Sequence, residues 1–75
     1  MRTVLIHVGK HAAKTILRSI FEKQTSSVYQ SDDTVVGSVI IARFEGSYVH
    51  ITSQVNNLDD YLPKPLSKYF YEEDN

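Results

Sequence analysis

Residues 35–55 read VVGSVIIARFEGSYVHITSQV, and the fold turns on this stretch. Two runs of branched and aromatic residues, 35–44 and 47–55, flank Glu45-Gly46. A two-residue link with glycine second predicts a tight β-hairpin turning at Glu45-Gly46. That turn would set Phe44 opposite Ser47, Ala42 opposite Val49, Ile40 opposite Ile51, Ser38 opposite Ser53 and Val36 opposite Val55. These residues form one apolar face, with a hydrogen bond across the two serines. The other face would pair Arg43 with Tyr48, Ile41 with His50 and Val39 with Thr52, and it is mixed. Side chains alternate at period two, so a slip of one residue would exchange the faces and the register is strongly specified.

Upstream, Val4, Ile6 and Val8 alternate with Thr3, Leu5 and His7, the pattern of a strand. After Gly9 the period changes. Ala12, Ala13, Ile16, Leu17, Ile20 and Phe21 gather on half of a helical wheel, which predicts an amphipathic helix over 10–24. If the first strand neighbours the second, the connection is a right-handed parallel crossover. Residues 25–34 are polar and turn-forming, and Val28 and Tyr29 are candidates for a short extra strand within them.

Downstream, Asn57 is placed to cap a helical turn over 58–62, with Asp59 and Asp60 near its positive end. Pro65 is placed to start a last short helix carrying Leu66, Tyr69 and Phe70. Glu72, Glu73, Asp74 and Asn75 read as a frayed end. The expectation is a single α+β domain over 1–75: a two-layer β-α-β-β unit followed by short C-terminal helical segments.

The chain has 75 residues, no cysteine, 41% hydrophobic and 23% charged residues. That is globular usage. Disulfides and thiolate metal sites are excluded, and no apolar run approaches a membrane span. A cytoplasmic protein without a membrane partner is expected. A domain this small buries only about 60% of its unfolded surface, so self-association is a natural way to widen its stability margin. The net charge of −1 is unevenly spread. Residues 1–23 carry Arg2, Lys10, Lys14, Arg18 and Lys23 against Glu22, while residues 24–75 hold eight acids against Arg43, Lys64 and Lys68.

Five constellations could carry function. Gly9-Lys10-His11 follows a strand and opens a helix, where backbone N–H groups favour an anion. It lacks the upstream glycine and the Ser or Thr directly after the lysine that a phosphate loop needs; the plain reading is a turn glycine beside a solvated lysine. Lys10, His11, Lys14 and Arg18 form a basic row suited to an anionic partner, nucleic acid included, or simply a solvated helix face. The pI near 6.2 lies well below that of most basic nucleic-acid modules, usually above about 9. His7, His11 and His50 show no metal-ligand spacing. Asp32-Asp33 and Asp59-Asp60 are adjacent pairs that do not share a face, so no acid/base couple emerges; neither a catalytic site nor a cofactor is expected. The outer hairpin face, with Val35, Val39, Ile41, Arg43, Tyr48, His50 and Thr52, combines the residue types of an interface core, although Arg43 and Tyr48 would also suit a local cation–π pair.

The order β-α-β-β-α with an acidic C-terminus is similar to that of the DinI family of RecA modulators, but Pro63 and Pro65 break the stretch where that family's longer acidic helix runs. No motif is shared, and no residue role carries over. The leading functional expectation is a non-enzymatic protein-binding regulator or inhibitor, homodimeric, contacting its partner through Val39, Ile41, Arg43, Tyr48 and His50. A nucleic-acid binder using the basic row and a phosphate or small-ligand domain around Gly9 are the alternatives.

Overall fold

Branched residues at alternate positions make Arg2–His7 the first strand, β1. Helix α1 follows as Lys10–Lys23, with Gly9 as its N-cap and no side-chain cap. The computed structural model describes residues 1–63 and the backbone of Phe70–Asp74. Four strands come next: β2 (Val28–Ser31), β3 (Thr34–Val36), β4 (Ile40–Glu45) and β5 (Tyr48–Ser53). A 3₁₀ turn, Leu58–Tyr61, then leads toward β6 (Phe70–Asp74).

The α+β class holds, with one helix and an antiparallel sheet. Strand number and order differ from expectation. The sheet runs β2-β3-β4-β5-β1, with β6 added on the β1 edge. No parallel crossover forms, because β1 pairs antiparallel with β5 on one side and β6 on the other. The loop over 25–34 contains a strand after all, β2, which pairs with β3 around Asp32-Asp33. Residues 72–74, expected to fray, belong to β6. The helix expected from Pro65 falls mostly outside the described residues, and Phe70 at its end opens a strand instead.

The long strand expected over 35–44 is in fact two. It folds back at Ser38-Val39, so that Val36 lies opposite Ile41 and Val35 opposite Ala42. The cause is Gln24, the residue that ends α1 in an extended conformation. Its buried side-chain amide accepts from the Ile40 N–H (3.2 Å) and donates to the Ile40 carbonyl (3.1 Å). The Gly37 N–H donates to the same carbonyl at 3.0 Å. A Cβ on Gly37 would overlap the Gln24 amide, so a larger residue would displace that amide from its bonds to Ile40.

The β4–β5 hairpin forms as the sequence indicates, with its turn displaced by one residue. Glu45 pairs with Tyr48, Phe44 with Val49, Arg43 with His50, Ala42 with Ile51 and Ile41 with Thr52. The turn residues are Gly46-Ser47, and Gly46 has φ +66°. Positive φ at the first central residue alone is the type II′ geometry that matches strand twist. The register moves by two, so both faces keep their residues. Ser38 and Ser53 do not meet. Ser38 lies in the new turn, and buried Ser53 sits opposite Ile40, bonding to Val55.

One face of the sheet meets α1. Ala13, Ile16, Leu17 and Ile20 bury against Val4, Ile6, Val35, Ile40, Ala42, Val49 and Ile51. Each fully buried branched or leucyl side chain contributes about 1.5–3 kcal/mol over exposure. Leu58 and Leu62 close one end of this core, and Ser19 Oγ ties α1 to the Tyr61 carbonyl at 2.7 Å. Asn57 does not cap the 3₁₀ turn through its side chain as expected. Its carbonyl accepts from the Asp60 N–H, and its side-chain amide donates to the Asp60 carboxylate.

Candidate functional site

Two surfaces gather the sequence-derived candidates. The first is the sheet face opposite α1. The pairings set its residues in cross-strand rows. Val28, Val36, Ile41, Thr52 and Thr3 form one row, from β2 to β1. Thr34, Arg43, His50 and Leu5 form the next, and Glu45, Tyr48 and His7 the third. Polarity is graded along the strands: the first row is branched and apolar at its β2 end, and the last is aromatic and charged.

Ile41 and Val28 are 46% and 59% exposed, so water meets much of the apolar row. Tyr48 stacks obliquely with His7, ring centroids 5.0 Å apart, and meets His50 edge-on at 6.4 Å. Arg43 pairs with Glu45 at 3.0 Å. The expected partners on this face, Arg43 with Tyr48 and Ile41 with His50, are therefore replaced by Arg43 with His50 and Ile41 with Thr52.

Of the five candidate interface residues, Ile41, Arg43, Tyr48 and His50 share this face. Val39 does not. It sits in the Ser38-Val39 turn and packs against the core, and Val35 is wholly buried on the helix side. Folding back at Ser38-Val39 reverses the inside–outside alternation in β3, which buries Val35 and turns Val36 outward. Val28, Val36 and Leu5 join the face unforeseen. The signal that could have found them was Gly37, a glycine interrupting a branched run.

The second surface is a groove between α1 and the β2–β3 turn. Lys10, Lys14 and Leu17 line it from the helix, Asp32 and Asp33 from the turn, and Ala13 and Phe44 form its floor. It continues past Lys14 and Arg18 to Tyr29 on β2. Tyr29 is held by Phe21, with ring centroids 4.8 Å apart. The basic row is thus brought to an acidic turn. Arg18 also approaches Glu22 at 4.0 Å, but both side chains are more than 60% exposed, so that pair adds little. Asp33 accepts from Ser31 Oγ (2.7 Å) and Thr34 Oγ1 (3.2 Å). Those hydroxyls, Ser31 first, hold its carboxyl below the usual carboxylate range. His11 lies at the helix start, exposed, its carbonyl accepting from Thr15 Oγ1.

Among the described residues, no three His, Asp or Glu side chains converge on a metal position. No described helix is long and apolar enough to cross a membrane. No family model, curated protein or solved structure matches the chain.

Proposed function

We propose that this protein acts by docking, and that the sheet face opposite α1 joins two copies of the chain back to back. The observation that carries the reading is the apolar row of exposed Val28, half-buried Val36 and exposed Ile41, set in a face that α1 leaves open. Burying such a row against its two-fold copy would remove apolar surface from water at about 25 cal/mol per Å². Tyr48, His50 and Arg43 supply a polar, aromatic rim of the kind that gives an interface its register. A second layer would also widen the thin stability margin of a 75-residue domain.

The test is the solution mass of the wild-type chain and of Ile41→Arg across a range of protein concentrations. Wild type is expected to run as a dimer that dissociates on dilution. Ile41→Arg, at an exposed position, should run as a folded monomer. A wild-type chain that stays monomeric at hundreds of micromolar overturns the reading.

A further inference from the structure

β2 is the outermost strand, and among the described residues only β3 pairs with it. An antiparallel ladder turns the backbone groups of successive residues alternately to either side. The Gly37 N–H donates to the Ile40 carbonyl and the Phe44 N–H to the Asp33 carbonyl. The odd-numbered residues of β3 therefore face β4, and Thr34 and Val36 face β2. Val28, opposite Val36, directs its backbone groups to β3. Tyr29 is left with its N–H and C=O toward the open edge. Such an edge is a template for another extended chain. The register irregularity between Tyr29 and Ser31 keeps the template short.

The same edge lies beside the basic row. Lys14 and Arg18 share a groove with Tyr29. Four residues of helix advance about 6 Å, and alternate residues of a strand advance about 6.6–6.8 Å. The two spacings are similar, and Lys14 and Arg18 both line the groove beside Tyr29, so alternate side chains of a strand laid on β2 would come within reach of these two cations. Like charges four apart repel one another within α1, and an anionic neighbour would relieve that repulsion. Asp32 and Asp33 both oppose an anionic guest in the groove, and of the two Asp32 also lines the stretch beside Tyr29 and Arg18.

We propose that this cleft binds an extended peptide as an added strand on β2, with acidic side chains at alternate positions facing Lys14 and Arg18. Backbone hydrogen bonds through Tyr29 would give the affinity and the charge ladder the selectivity. This site shares β2 with the sheet face assigned to self-association, but Tyr29 and the cations lie on the helix side of the sheet and Val28 on the other.

The experiment titrates the full chain with three labelled nine-residue peptides: Glu alternating with Thr, the same composition with the glutamates in one block, and Lys alternating with Thr. The alternating acidic peptide should bind at least about tenfold tighter than either control, and Lys14→Glu should weaken it by a similar factor. Asp32→Asn should strengthen it about two- to fivefold, and added salt should weaken it. The Tyr29 amide should gain protection from hydrogen exchange in the complex. Equal binding of the blocked or basic peptide, an unchanged affinity in Lys14→Glu, or an unprotected Tyr29 amide overturns the proposal. So does a labelled single-stranded oligonucleotide that binds tighter than the acidic peptide through the same lysine. Ile41→Arg should change the solution mass and leave peptide affinity unchanged, so failure of one reading is distinct from failure of the other.

Discussion

Strand β4 is bounded by two turns of equal length that are built on different principles. At Gly46-Ser47 the information is local. Gly46 adopts φ +66°, and a Cβ there would meet nothing within 4 Å, so the glycine is needed for backbone conformation alone. At Ser38-Val39 the information is remote. Gly37 has no left-handed backbone, and it is glycine because the Gln24 amide occupies the space a side chain would take. A local turn is written where it occurs. A clamped turn is written partly sixteen residues away, at the end of a helix.

The sharpest way to break this contrast is Gly37→Ala. The added methyl would push the Gln24 amide away and strip the buried Ile40 N–H of its acceptor, at about 1–3 kcal/mol for the lost partner and a similar amount for overpacking. A loss of about 3 kcal/mol in urea unfolding is expected. In a Gln24→Ala background the methyl has room, and its cost should fall by about 0.5–3 kcal/mol, the usual coupling of touching residues. Additive effects would sink the clamp.

Gly46→Ala should cost less, about 1–2 kcal/mol for a left-handed alanine, and should not couple to Gln24. A third turn, Asp32-Asp33, gives the smallest effect and a pH signature. Because Ser31 and Thr34 hold the Asp33 carboxyl below its unfolded value, its contribution is complete above the ordinary carboxylate range. It is lost as pH falls through the depressed value. Asp33→Asn should therefore lower stability at neutral pH and leave it little changed in acid, measured as thermal midpoints from pH 7 downward.

Legibility in the sequence follows the same division. Helix α1 was readable because six apolar positions repeat at its period, and the structure buries Ala13, Ile16, Leu17 and Ile20 among them. The β4–β5 faces were readable because alternation fixes them even when the turn moves by one residue. The β3–β4 reversal was not. Its local sequence, Val-Val-Gly-Ser-Val-Ile-Ile, favours a strand, and a long-range side-chain bond overrides it. The reversal carries into the candidate site: an unbroken strand would put Val35 and Val39 on the open face, whereas Val36 and Val28 occupy it. The basic row is legible as a row, but the groove beside it is hidden, because β2 comes from a stretch dominated by Ser, Thr and Asp.

The Gln24 clamp also bears on the order of assembly. An isolated β-hairpin closes in microseconds from contacts between neighbours. The β3–β4 pair lacks that independence, since the Ile40 N–H finds its buried acceptor only when the end of α1 is in place. Satisfaction of that N–H is complete only with the helix docked, at the loop entropy that a sixteen-residue separation entails. Helix and sheet are coupled through their shared core, and the Gln24 amide adds a directional link that ties the β3–β4 reversal to the end of α1.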